Sequence, residues 1–246
     1  MRLNFYKFVT IGILLCSCSK SKEEAPLVLA GEYQTDNTIV AANPIMVYTK
    51  NGPVNNQQLI DGLIRRQGLT YRFSRTDVPV NYNAELNIII DANNHARLID
   101  KYNNGGTQYT STFTASVTTQ LPRYFVLANN DSATFLNGYT YGSQNQCTLL
   151  ADKIKTVYPA RNCKNLPPTT GFSQVCKFRP FRVITIRDGK LFLPYFTWLI
   201  KSNQQAASCT IAYVGETNTF NPAVINQLAT GDTIVAQVRE IALLKK

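Results

Sequence analysis

The stretch TQYTSTFTASVTT, Thr107–Thr119, decides the fold class of this chain. Tyr109, Phe113, Ala115 and Val117 fall in one phase, while Thr110, Thr112, Thr114 and Ser116 fall in the other. A repeat of two residues places successive side chains on opposite faces of a strand, so this segment reads as a sheet with one wet face. The same period continues outward in both directions. LTYRFS (69–74) sets Leu69, Tyr71 and Phe73 against Thr70, Arg72 and Ser74, and LNIIID-ANN-HARLID (86–100) reads as a hairpin turning at Ala92–Asn94. Downstream, RYFVLA continues the pattern, and FRVITIR-DG-KLFLPYFTWLI forms a second hairpin with Asp188-Gly189 at its turn. CTIAYVG follows, and DTIVAQVREIALL closes the chain as a strand whose inward phase slips near Arg239–Glu240, which predicts a bulge.

Two segments break the period. In NNQQLIDGLIRRQG, Leu59, Ile60, Leu63 and Ile64 share a helical face, Asn55 with Gln58 forms a capping-box pattern, and Gly68 ends the helix, predicted near 56–67. Asn221 followed by Pro222 marks a short helix near 222–228. IMVYT (45–49) is expected as the first strand after GEY (31–33) opens the domain. The expectation is a mainly β protein of about ten strands, an antiparallel meander closed as a barrel or folded as a sandwich. Hydrophobic content of 44% and charged content of 16% suffice for a real core and exclude a disordered chain.

The N-terminus has a different logic. MRLNFYK carries two cations and no acid, and FVTIGILL (8–15) is an apolar run of eight, too short to cross a bilayer. Small residues and two cysteines follow in LLCSCSKSKEE (14–24). The segment resembles the signal peptide and lipobox of bacterial outer-membrane lipoproteins. Cys18, with Ser17 before it and Leu15 at −3, matches the lipidated position, whereas Cys16 follows the bulky Leu15 and does not. The resemblance, which covers residues 1–24, implies a signal over 1–17 and a lipidated Cys18; residues 18–30 read as a tether, and the strand pattern makes 31–246 one β-rich domain. The resemblance also implies outer-membrane anchoring through Cys18, and the Lys/acidic tract Ser19–Glu24 resembles those that send such proteins to the cell surface. A strand, a helix and a long meander also resemble, in architecture, the calycin barrels that bind lipophilic ligands, although Tyr33 stands where some of those have Trp after Gly-x.

Four cysteines remain in the mature chain: Cys147, Cys163, Cys176 and Cys209. In an exported protein they suggest two disulfides, with three pairings open. The Pro-containing segment CKNLPPTTGFSQVC favours the local staple Cys163–Cys176, and Cys147–Cys209 follows by elimination. Without a Cys-x-x-Cys pair, and with one histidine far away in sequence, zinc binding is not expected, nor is any cofactor.

The formal charge is +10, and from Lys153 to Lys201 ten Lys or Arg face a single acid, Asp188. For an exported chain this block fits acidic polysaccharide or anionic headgroups rather than nucleic acid. Arg179, Arg182 and Arg187 lie across the Asp188-Gly189 hairpin from a strand holding Tyr195 and Trp198, and these five are the candidate ligand residues. The chain carries no Gly-x-Ser-x-Gly, His-Glu-x-x-His or Gly-rich phosphate loop. The expected function is non-catalytic binding of a glycan, a lipophilic molecule or a partner protein. The alternatives are a carboxylate-dependent hydrolase, with Asp91 and Asp100 meeting across the 86–100 hairpin, or an accessory subunit of an outer-membrane complex.

Overall fold

The computed structural model describes residues 29–68, 73–80, 85–104, 106–138, 145–158, 161–167, 172–204 and 207–246. The segment expected as a signal, Cys18 and most of the strand expected at 69–74 lie outside them. Fifteen strands are present among the described residues, more than the meander pattern led us to expect.

Eight of them close an antiparallel barrel. In order around the wall they are β1 (Gly31–Val40), β5 (Glu85–Ile90), β6 (His95–Asn104), β7 (Thr107–Leu121), β8 (Tyr124–Asn129), β12 (Phe181–Arg187), β13 (Lys190–Gln204) and β15 (Thr233–Lys245). Pairing of β15 with both β13 and β1 completes the circuit. Two short strands, β2 (Met46–Thr49) and β3 (Gly52–Val54), extend from β15, and β4 (Val78–Pro79) pairs with β1. β14 (Ala207–Glu216) pairs with the far half of β13. Between β8 and β12 the chain leaves the barrel to build a separate sheet of β9 (Ala133–Gly138), β10 (Arg161–Asn165) and β11 (Phe172–Phe178).

The alternation read from Thr107–Thr119 sets the wall. Ala115 is fully buried, Val117 packs on the core, and Leu98 pairs with Phe113 on the inward face. At one end the lumen is filled by Ile88, Ile90, Leu98, Phe125, Leu127, Ile184 and Leu191, all buried. Leu29 and Tyr33 close that end, where the Tyr33 hydroxyl donates to the Leu29 carbonyl at 3.0 Å.

β13 and β15 are longer than the barrel needs, and their pairing runs without interruption from Leu191↔Leu243 to Lys201↔Thr233. The ribbon therefore projects beyond the lumen and must be covered on both faces. One face, with Leu199 and Val235, packs on α1 (Gln57–Arg66) through Ile60 and Ile64. The other, with Phe196, Trp198, Ile200, Ile234 and Ala236, packs on α2 (Gln146–Ala151) and the 3-10 helix Pro222–Gln227. This accounts for a segment, KLFLPYFTWLI, that is apolar in both phases. Pro194 occurs where β13 has left β12, last paired at Phe192, and has not yet met β14, first paired at Phe196. The missing N–H therefore costs no ladder bond on that side.

Several expectations are corrected. The first strand is Gly31–Val40, not 45–49. The cap of α1 is Asn56, whose side chain accepts from the Leu59 N–H, and Leu59 is exposed rather than on the packed face. α2 was not anticipated from sequence. No slip occurs in β15. Arg239 and Glu240 keep the alternation, Arg239 lying over the Tyr195 ring at 4.9 Å and Glu240 ion-paired to Arg187 at 2.7 Å. The irregularity sits on the partner strand, between Thr35 and Ile39 of β1. Both disulfides form in the preferred pairing, Cys147–Cys209 and Cys163–Cys176.

Candidate functional site

At the end opposite Leu29 and Tyr33 the inward residues become small or polar, and the barrel stops filling itself. Thr35, Asp100, Ser111 and Arg182 occupy positions that hold Tyr33, Leu98, Phe113 and Ile184 one layer down. A cavity of about 520 Å³ remains, within the range of sites for small ligands. Its apolar surface comes from Val80, Leu86, Phe113, Leu193 and Ile241, and its rim from Asp36, Glu85, Lys101, Tyr195, Gly215 and Thr217. The opening follows from the topology. β12 and β13 separate after Thr185↔Phe192, and the Gly215–Thr217 segment bridges the gap, with the Val183 N–H donating to the Thr217 carbonyl at 3.4 Å.

Phe113 is the telling residue. It stands in the inward phase of β7, opposite the buried Leu98, yet is 40% exposed. A large ring directed into a barrel and left wet marks space that the protein's own side chains do not occupy.

The charged residues between the apolar wall and the rim are Arg182 and Asp100, which form an ion pair. Arg182 Nη2 lies 2.7 Å from Asp100 Oδ2, with the two side chains 31% and 25% exposed. At the rim Lys101 approaches Glu85 at 3.4 Å. Glu85 also accepts from the Asn87 side chain at 2.7 Å, and that bond, with Lys101 beside it, holds the carboxyl below its ordinary range. Behind Tyr195, burial pulls the Arg239 guanidinium down from its usual value, partly offset by the ring it covers. Gly215, with φ +74°, allows Tyr195 to lie against its backbone, since a Cβ there would come within 2.5 Å of the ring.

The structure separates the five candidate ligand residues. Arg182 and Tyr195 both line the lumen. Arg187 lies outside, paired with Glu240 and over the Phe192 ring at 4.5 Å. Trp198 is buried on the outer face of the ribbon, stacked on Tyr213, with its indole N–H donating to Glu216 at 3.1 Å. Arg179 lines a different, external groove. The shared surface expected for the hairpin does not form, because β13 exchanges β12 for β14 halfway along its length. Asp91 and Asp100 do not meet either. Asp91 caps the hairpin turn, accepting from the Asn93 and His95 N–H groups, about 17 Å of strand from Asp100.

Asp100, Ser111, Phe113 and Leu193 were not singled out as ligand residues from sequence. A signal existed for Asp100 and Arg182. Each interrupts the apolar phase of its strand, after Ala96 and Leu98 in β6 and before Ile184 and Ile186 in β12. Two opposite charges in inward phases of one barrel read as partners. No protein-family model, curated protein or solved structure matches the chain.

Proposed function

We propose that this chain is a lipid-anchored outer-membrane protein, held by Cys18, whose barrel binds a small lipophilic molecule in its lumen without transforming it. The observation that carries the reading is Phe113, inward-facing and 40% exposed over a cavity of about 520 Å³. Apolar walls supply the binding free energy, roughly 25 cal/mol per Å² of ligand surface removed from water. Selectivity comes from the mouth. Arg182 is already matched by Asp100 and Lys101 by Glu85, with Asp36 in addition, so the lining disfavours an anion and suits a neutral ligand. A hydroxyl or carbonyl on that ligand would bond Ser111 or the ion pair.

The test is titration with N-phenyl-1-naphthylamine, a neutral probe that brightens in apolar surroundings, against wild type and Ser111→Trp, which fills the lumen. Saturable binding lost in Ser111→Trp supports the reading, provided the variant melts like wild type. Equal binding by both sinks it. Membrane release of Cys18→Ser, with retention of Cys16→Ser, tests the anchor.

Three carboxylates at one mouth, Asp36, Glu85 and Asp100, favour one second reading, a carboxylate-dependent hydrolase. Glu85 is held towards its ionised form and Asp100 is engaged by Arg182, which leaves neither arranged as a proton donor. Glycoside turnover abolished by Asp36→Asn or Glu85→Gln would establish that reading instead.

A further inference from the structure

The basic block is sorted by the fold. Lys155 pairs with Glu216, Arg182 with Asp100 and Arg187 with Glu240, so these three cations are neutralised by acids from other segments. The sheet built between β8 and β12 is different. It carries Arg161, Lys164 and Lys177, with Arg179 just beyond, and no acid in β9, β10 or β11. Among the described residues Lys177 and Arg179 have no carboxylate at ion-pair distance.

These cations border a groove of about 530 Å³ between that sheet and the outer barrel wall. Arg161, Lys177 and Arg179 line it together with the rings of Tyr158, Phe178 and Phe181. The opposite wall is the outside of β7 and β8, where a bulge at Thr118 sits between Val117↔Leu127 and Thr119↔Val126. Among the described residues no acid lines the groove; Asp131 adjoins it, next to Ser132. One wall of the groove is braced by a disulfide. Cys163–Cys176 ties β10 to β11, fixing Arg161 across from Phe178. The Tyr158 hydroxyl accepts from the Lys155 N–H at 3.1 Å, which fixes the ring.

We infer that this groove is a second site, independent of the lumen, that takes an acidic polysaccharide through its uronate groups. Lys177 and Arg179, with no carboxylate at ion-pair distance among the described residues, select an anion, and the interleaved rings offer flat apolar faces for sugar rings. A bilayer headgroup layer is also anionic, but it is broad and flat and does not enter a channel walled on two sides. A single glycan chain does.

The experiment measures short galacturonate oligomers, and their methyl esters, on the immobilised full-length protein by interferometry. Vesicles of phosphatidylglycerol form a separate arm. Wild type should bind the free acid, lose most binding between low and physiological salt, and ignore the ester. Lys177→Glu with Arg179→Glu should weaken the free acid about tenfold or more, a change of roughly 1.4 kcal/mol. Lys177→Gln with Arg179→Gln should show a smaller loss, and Tyr158→Ala should weaken binding without changing its salt dependence. N-phenyl-1-naphthylamine binding should be unchanged in all three, which separates this site from the lumen. Unaltered galacturonate affinity in both charge variants, equal binding of the ester, or a loss seen only with vesicles overturns the inference.

Discussion

Replacing Arg182 with Met leaves the Asp100 carboxylate inside the lumen without its cation. The pair is intermediate between two limits, because its side chains are 31% and 25% exposed. Exposed pairs contribute about 0–1 kcal/mol, while breaking a fully buried pair costs about 3–5 kcal/mol. A loss of about 2 kcal/mol is expected for Arg182→Met, and a similar loss for Asp100→Leu, which strands the guanidinium. The double variant removes both charges and places apolar side chains beside Leu86, Leu193 and Ile241. It should recover most of the loss, giving a coupling of about 3–4 kcal/mol. At roughly 2–4 °C per kcal/mol for a chain of this size, each single variant should melt about 4–8 °C below wild type and the double variant close to it. Thermal unfolding followed by circular dichroism, with urea titration as a second measure, reads the cycle. Additive losses would refute the reasoning, since they would mean that water solvates the two groups separately and the lumen is not the closed-walled space described above.

Three other predictions rest on separate features. Gly215→Ala should destabilise by about 2–4 kcal/mol, combining left-handed strain with a Cβ at 2.5 Å from the Tyr195 ring, whereas Gly52→Ala, strained but with open space around it, should cost about 1 kcal/mol; thermal melts of both isolate the contact. Removing Cys147–Cys209, which spans 62 residues, should cost about 4 kcal/mol, and removing Cys163–Cys176, spanning 13, about 3 kcal/mol, with hydrogen exchange after the second change rising in β10 and β11 while the barrel strands stay protected. The Glu85 carboxyl is held low by Asn87 and Lys101, so the folded chain binds fewer protons there than the unfolded chain; its contribution is present above the ordinary carboxylate value, about 4.3, and fades as pH falls through the folded value, and Glu85→Gln should flatten that part of a melting profile taken from acid to neutral pH.

Much of the barrel was legible because strand alternation is a local property. Thr107–Thr119, the 86–100 hairpin and the Asp188-Gly189 turn each declare phase and direction within a few residues. Asp188 and Gly189 both adopt positive φ, 50° and 70°, as a two-residue hairpin turn requires. Closure was not legible in the same way. β1 pairs with β15 across nearly the whole chain, and nothing local in GEYQTDNTIV or DTIVAQVREIALL names the other as its neighbour. The apparent phase slip at Arg239–Glu240 came from treating charge as a sign of the wet face. In the fold Arg239 is buried over Tyr195 and Glu240 against Arg187, so the pattern is regular and the charges are matched by distant residues. The candidate site suffered from the same limit. Arg179, Arg182 and Arg187 are close in sequence, but residue parity, the exchange of β12 for β14 along β13 and the excursion between β8 and β12 send them to three different surfaces. Of the five residues, Arg182 and Tyr195 reach the lumen because they alone combine an inward phase with a place at its open end.

The most direct measurement of the central claim is where a neutral lipophilic molecule sits. Intermolecular nuclear Overhauser effects from N-phenyl-1-naphthylamine should reach the Phe113 ring and the methyl groups of Leu86, Leu193 and Ile241, the apolar wall of the cavity. Contacts confined to the exposed side chains Leu59, Leu121 and Tyr213, with none to Phe113 or Leu193, would place the molecule on the outer surface and contradict a binding lumen.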